Sequence, residues 1–109
     1  MKPILVITNL PDKKTALKLA KKLINKKLAA CVNIHAPCTS FYRWKNKIET
    51  ANEQQIFIKT LAPHYIEIEN TIKKIHPYEL PEIITVPIDG GLPAYLQWIS
   101  DETTTSNKN

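Results

Sequence analysis

Short apolar runs alternate along the chain with stretches of helical periodicity, and this order constrains the fold more than any other feature. The runs are rich in β-branched and aromatic residues, which predicts strands, and they fall at residues 4–10, 28–34, 40–44, 47–49, 55–60 and 81–88. Pro37 predicts a loop between the second run and the third. The pair Lys45–Asn46 predicts a tight hairpin turn, because Asn46 tolerates the positive φ that such a turn requires.

Three helices are predicted around these strands. Asp12 is placed to cap the first helix, and its lysines and apolar residues separate onto two sides at helical spacing. The predicted apolar side consists of Ala16, Leu17, Leu19, Ala20, Leu23 and Ile24. Pro63 suits the first turn of the second helix, Pro77 ends it, and a short third helix is expected at Leu92–Ile99. The order β-α-β-β-α-β predicts an α+β, ferredoxin-like fold (a split βαβ) with an antiparallel sheet and a short C-terminal helix.

The length of 109 residues predicts one domain at residues 1–102, followed by a polar tail at residues 103–109 that we expect to be disordered. No apolar run approaches the roughly 20 residues of a membrane span, and the N-terminus lacks the pattern of a secretory signal. Cys31 and Cys38 are expected as reduced thiols. We therefore expect a cytoplasmic protein with no membrane partner.

The net charge of +5 raises the question of nucleic-acid binding. The segment Asp12–Lys27 holds seven lysines and one acidic residue, so it carries +6 and the rest of the chain carries −1. These lysines form the solvated side of the first helix, and lysine without arginine or interleaved aromatic residues reads bases poorly. We therefore expect no nucleic-acid partner.

Five blocks of the sequence resemble one known family, the CutA proteins of divalent-cation tolerance, in order and in spacing. The blocks are LAACVN (Leu28–Asn33), SFYRW (Ser40–Trp44), IKT (Ile58–Thr60), HPYELPEI (His76–Ile83) and PAYLQWI (Pro93–Ile99). The resemblance implies a cytoplasmic homotrimer of ferredoxin-like subunits joined edge to edge, with a link to copper and other divalent metals. Self-association agrees with the aromatic hairpin, which a small domain should not expose to water.

The resemblance also implies a metal site. In some relatives the proposed copper ligands are a cysteine at the end of the first strand and two adjacent histidines before a Pro-Tyr pair. Here those places hold Val6–Thr8 and Ile75–His76, so His76 alone is retained. His76 and Glu79 are the candidate ligands for Cu²⁺ or another divalent cation, and no organic cofactor is expected. Alternatively, His76 ends the second helix, where its ring suits the helix dipole.

A polar and aromatic cleft between subunits, near His76, is the second candidate site that the resemblance implies. Its predicted residues are Lys59, Tyr42, Trp44, Tyr78 and Glu53. Such a pocket suits an anion or a small ligand. His35 and Cys38 are too few to form a metal site by themselves, and Cys31 is expected as a buried thiol.

No catalytic arrangement is apparent in the sequence. It contains no Ser-His-Asp set that can be placed, no phosphate-binding glycine loop, and two glycines in total. A cleft with Lys, Glu, His and Tyr could support acid–base chemistry, but nothing indicates a substrate, so we do not expect an enzyme. The CutA resemblance implies a cytoplasmic homotrimeric protein of divalent metal tolerance that binds divalent cations weakly to moderately. The alternative is a trimeric signalling or ligand-binding module similar to the PII proteins.

Overall fold

The computed structural model describes residues 2–104, which form a four-stranded sheet and three α-helices. The strands are β1 (Pro3–Leu10), β2 (Cys31–Trp44), β3 (Lys47–Leu61) and β4 (Ile83–Pro87). The helices are α1 (Lys13–Asn25), α2 (Tyr65–Ile75) and α3 (Pro93–Thr103). The strand order is β2-β3-β1-β4 and every neighbouring pair is antiparallel, which confirms the predicted α+β, ferredoxin-like arrangement.

Alternate residues of β1 and β3 point into a core that α1 and α2 cover. Val6 and Ile58 lie opposite one another in the sheet, and both are fully buried. The other large, fully buried side chains of this core include Leu10, Leu19, Leu23, Ile56, Ile68 and Ile72. Burial of one such side chain contributes about 1.5–3 kcal/mol, so this face is the main source of stability.

Helix α1 begins as predicted but buries a narrower stripe. Asp12 Oδ1 accepts a hydrogen bond from the Thr15 backbone N–H at 2.7 Å, and this bond lowers the pKa of the Asp12 carboxyl. The residues of α1 that are buried are Ala16, Leu19 and Leu23. The prediction that Leu17 and Ile24 belong to the buried apolar side was wrong. Both are 42% exposed, because the helix contacts the sheet along one narrow stripe only.

The hairpin of β2 and β3 is more continuous than predicted. The expected loop at Pro37 was wrong: β2 passes through it, with a shift of register between Ile34 and Pro37. Because β2 is an edge strand, it tolerates a proline and a bulge. The predicted turn is confirmed, since Lys45 and Asn46 both have positive φ, at 49° and 67°.

Helix α3 covers part of the opposite face of the sheet. Lys59 alternates with the core residue Ile58, and its Nζ lies 5.6 Å from the centroid of the Tyr95 ring in α3. The helix continues past the predicted end at Ile99 to Thr103, which is fully buried. The boundary predicted at residue 103 was therefore too early, and residues 105–109 of the predicted tail lie outside the described residues. Within residues 2–104, no helix has the length and hydropathy needed to cross a membrane.

Candidate functional site

A pocket lies where the β2–β3 hairpin extends beyond β1 and meets the loop that follows α2. Strand β1 ends its pairing with β3 at Leu10 and Gln54, whereas the hairpin continues to Trp44 and Lys47. The pocket has a volume of about 730 Å³. Its lining includes the polar and aromatic residues Asn9, Ser40, Tyr42, Trp44, Glu53 and Tyr78. We call it the hairpin pocket.

Two glutamates of the hairpin pocket share one amide group. Asn9 Nδ2 donates to Glu53 Oε1 and to Glu82 Oε1, with both distances at 3.2 Å. Ser40 Oγ donates to the same Glu53 oxygen at 2.7 Å. Asn9 and Glu53 are each 6% exposed, whereas Glu82 is exposed at the pocket surface. The pocket therefore holds one buried and one accessible carboxylate.

The amide oxygen of Asn9 is not satisfied. Asn9 Oδ1 is buried and has no hydrogen-bond partner among the described residues. A buried polar atom without a partner costs about 1–3 kcal/mol. Such a cost is tolerated where a polar atom serves a binding site, so Asn9 Oδ1 is a candidate ligand atom of the pocket.

Tyr78 contributes a hydroxyl group beside Glu53. The pKa of this hydroxyl is raised, first by burial and then by the Glu53 carboxylate and by Tyr42. Burial and a nearby negative charge both disfavour the phenolate. Tyr78 therefore stays protonated above its ordinary titration range and acts as a hydrogen-bond donor in the pocket.

His76 ties the loop after α2 to the end of β1. Its Nε2 lies 2.6 Å from the backbone oxygen of Asn9, and the backbone N–H of Tyr78 donates to its Nδ1 at 3.2 Å. Since a carbonyl only accepts, Nε2 carries the proton, and the lone pair of Nδ1 is taken by Tyr78. The ring is 8% exposed, and the His76 backbone N–H closes α2 on Ile72 O at 2.8 Å. His76 thus ends α2, as the alternative interpretation predicted.

The predicted pair His76 and Glu79 does not fit a metal ion as placed. Neither ring nitrogen of His76 offers a free lone pair, which a metal ligand requires. Glu79 is exposed and lines a smaller pocket of about 190 Å³ with Tyr42, Trp44 and Tyr78. Within residues 2–104, no group of three or more His, Cys, Asp or Glu side chains is arranged to hold a metal. Metal binding at His76 stays a prediction, and it requires the Tyr78 contact to open.

Comparison with known proteins now identifies the family. A family model described as CutA1 divalent ion tolerance protein matches residues 4–102. The chain belongs to the CutA1 divalent ion tolerance family. Protein CutA of Mus musculus is 39% identical over 93 residues, which are 85% of this chain and 52% of the mouse protein. The chain thus spans about half the length of that CutA relative.

Solved structures of CutA proteins have the same fold. The crystal structure of CutA1 from the psychrotrophic bacterium Shewanella sp. SIB1 has a TM-score of 0.92 at 40% identity, and the match covers 95% of this chain and 97% of that one. A CutA from Archaeoglobus fulgidus, described as a periplasmic divalent cation tolerance protein, has a TM-score of 0.90 at 37% identity. That match covers 94% of this chain and 99% of that one. The fold is therefore the CutA fold.

The cleft that the CutA resemblance implied is brought together in part. Tyr42, Trp44, Tyr78 and Glu53 line the hairpin pocket. Lys59 does not: it lies beside Cys31 in the sheet and over Tyr95 of α3. Because the resemblance places the cleft between subunits, the contribution of Lys59 to it stays a prediction.

Three pocket residues were not selected from the sequence as site residues. Ser40 and Glu82 carry no recognisable signal in the sequence, and Glu82 accepts a hydrogen bond from Asn9. Asn9 could have been found, because it interrupts the apolar residues at the end of a buried strand.

The cysteines and His35 do not add a second site. Cys31 and Cys38 are free and half-buried, and Cys31 Sγ lies 3.8 Å from Asn33 Oδ1. The His35 ring packs edge-on against Phe57, with 4.2 Å between centroids. These contacts are those of ordinary strand residues.

Proposed function

We propose that the chain is a homotrimeric, cytoplasmic protein of divalent metal tolerance that binds divalent cations with weak to moderate affinity. Membership of the CutA1 family supports the role in divalent-ion tolerance. The observation that carries self-association is the exposure of large apolar side chains at both edges of the sheet. Phe41 and Ile48 of the hairpin are 74% and 71% exposed, and Ile84 and Val86 of β4 are 48% and 40% exposed.

Edge pairing between copies would cover these side chains. Strands β2 and β4 are the two edges of the described sheet, and an edge presents unpaired N–H and C=O groups. A contact between β2 of one copy and β4 of the next is heterologous, and repetition of it closes a ring when the rotation fits. The CutA resemblance implies a ring of three.

Sedimentation equilibrium of the purified chain tests the assembly. We expect the mass of three 12.4-kDa chains, independent of salt, because the contact is largely apolar. A single-chain mass at micromolar protein concentration contradicts the proposal.

Copper is the ion that the family resemblance names first, and His76 offers it no free nitrogen. Imidazole nitrogen suits copper, whereas carboxylate oxygen suits Mg²⁺, Ca²⁺ and Mn²⁺, so we expect weak Cu(II) binding by calorimetry. The binding should be unchanged in His76→Ala and Cys38→Ala. Sub-micromolar binding that disappears only in His76→Ala would place copper at His76 and overturn this expectation.

The two free cysteines support the proposed cytoplasmic compartment. Cys31 and Cys38 are free in the structure, which suits a reducing compartment. The A. fulgidus neighbour is described as periplasmic, so the compartment needs its own measurement. Fractionation of the native organism should recover the chain with cytoplasmic markers, and recovery with periplasmic markers contradicts the proposal.

A trimeric, PII-like module that binds a small ligand is the second candidate, and the hairpin pocket of about 730 Å³ favours it. A metabolite that raises the thermal midpoint of the wild type but not of Trp44→Ala would support it. We assign no catalytic activity and no nucleic-acid or membrane partner. Turnover lost in Lys59→Ala or Glu79→Ala would contradict the first of these assignments.

A further inference from the structure

We infer that Glu53, Glu82 and Asn9 form a binding site for a hard divalent cation (Mg²⁺, Mn²⁺ or Ca²⁺) in the hairpin pocket. This inference rests on the proposed binding of divalent cations, and it names the ligands and the class of ion. The site differs from a copper site at His76 because all of its ligands are oxygen atoms, which suit Mg²⁺, Mn²⁺ and Ca²⁺.

The two carboxylates lie close together in the hairpin pocket. Glu53 Oε1 and Glu82 Oε1 are both 3.2 Å from Asn9 Nδ2, so their separation cannot exceed the sum of those distances. The hydrogen bonds to these carboxylates come from the neutral groups of Asn9, Ser40 and Tyr78. Two like charges at such a distance disfavour each other, and burial of Glu53 strengthens the effect. A divalent cation would remove this repulsion.

The unsatisfied oxygen of Asn9 supplies the second observation. Asn9 is 6% exposed, its amide contacts both carboxylates, and its Oδ1 has no partner among the described residues. A half-turn of the amide exchanges the positions of its nitrogen and oxygen. The turned amide would direct its oxygen at the two carboxylates, which is favourable only when a cation lies between them. In this proposal Asn9 is a donor to the carboxylates without the ion and an oxygen ligand with it.

The pocket gives an ion access and leaves room for its water. Glu82 is exposed, and the volume of about 730 Å³ exceeds what a bare ion needs. Mg²⁺ and Ca²⁺ retain water when a protein supplies few ligands. Because two carboxylates are fewer than high-affinity calcium sites contain, we expect a dissociation constant of about 10⁻⁴ to 10⁻³ M.

Arg43 is the cation in the lining that could compete with the ion. Arg43 follows Tyr42 in β2, where it pairs with Ile48 of β3. Because successive side chains of a strand leave from opposite faces, the Arg43 side chain leaves from the face opposite to that of Tyr42. Within residues 2–104, Arg43 donates no hydrogen bond to Glu53 or Glu82. The carboxylates are therefore available.

A titration of the full-length chain with Mn²⁺, followed by the electron paramagnetic resonance signal of the free ion, tests the site. Glu82→Gln keeps the shape of an exposed side chain and removes its charge, so it should fold. We expect it to weaken Mn²⁺ binding about tenfold or more. Glu102→Gln, the same substitution on an exposed residue of α3, should bind as the wild type does, and Mg²⁺ should displace the bound Mn²⁺.

The outcomes separate this inference from the proposed function. Equal Mn²⁺ affinity in the wild type and Glu82→Gln overturns the site but leaves divalent-cation binding in place. Binding that is weakened by His76→Ala and not by Glu82→Gln also overturns it, and moves the ion to His76. No binding by the wild type at about 10 mM Mn²⁺, above the range of low-charge sites, overturns the site, and the Cu(II) titration then decides whether the proposed binding of divalent cations stands.

Discussion

The helix-covered face of the sheet and the hairpin end use the same strand, β3, in opposite ways. On the helix-covered face, Ile56 and Ile58 are fully buried between β1 and the two helices. Toward the hairpin end, β1 is no longer present, Ile48 is 71% exposed, and the buried residue is the carboxylate Glu53. A single chain completes its core at one end, and we propose that the other end contacts a partner copy and a ligand.

The largest difference between the two ends should appear when apolar side chains are truncated. Ile68→Ala empties a fully buried position of α2 and should lower the free energy of unfolding by about 2–5 kcal/mol. Ile66→Ala, the same change on the same helix at a residue that is 65% exposed, should stay within about 0.5 kcal/mol. Guanidinium denaturation at one fixed protein concentration measures both. Equal losses would mean that the helix-covered face is not the core.

His76 connects the helix-covered face to the hairpin end, because it joins the end of β1 to the loop after α2. His76→Ala leaves the Asn9 carbonyl and the Tyr78 N–H without partners, so we expect a loss of about 1–3 kcal/mol in the free energy of unfolding. Hydrogen exchange of the Tyr78 amide should accelerate more than exchange within α1. His64→Ala is the control, because His64 is half-buried in the turn before α2. A stability loss no larger than that of the control would remove the structural role of His76.

A substitution at the hairpin end should weaken the association of chains and leave the folding of each chain unchanged. Phe41→Ser changes a side chain that is 74% exposed in one chain, so secondary structure should persist while the association constant falls about tenfold or more, which is 1.4 kcal/mol. Sedimentation velocity across a dilution series measures this change, with Ile66→Ser as the matched control on α2. Association that is equally strong in both variants would show that the exposed hairpin is not an interface.

The smallest effect is expected at alkaline pH. Burial first, and then the Glu69 carboxylate, raises the pKa of Tyr65 from 10.0 to about 12. A raised pKa means that the folded state holds the proton more tightly, so this stabilisation is complete below pH 10.0 and is lost as the pH rises toward about 12. Tyr65→Phe should show a shallower loss of stability than the wild type over that window. Parallel denaturation profiles for the two proteins would contradict this assignment.

Local chemistry made much of the fold predictable. Asp12 caps α1, and Asn46 adopts positive φ in the hairpin turn, because each signal depends on a few neighbouring residues. Pro37 misled the prediction, since the effect of a proline depends on whether its strand is an edge, which only the assembled sheet reveals. The end of α3 was also missed, because Thr103 is buried by tertiary packing and not by any local pattern.

The site was less predictable than the fold. The motif at His76–Ile83 includes residues that line the hairpin pocket, but the role of His76 depends on the Asn9 carbonyl, 67 positions away in the chain. Glu53 and Glu82 meet only through Asn9, a contact with no sequence signature. Lys59 ended in a different environment because the side chains of β3 alternate between faces, and α3 occupies the face on which it lies.

Native mass spectrometry of the chain in the presence of Mn²⁺ tests most directly the claim that the hairpin end serves assembly and cation binding. The account predicts assemblies of three 12.4-kDa chains that carry up to one Mn²⁺ per chain, and assemblies of the same size without the ion in Glu82→Gln. Single chains that retain no Mn²⁺ would contradict the account.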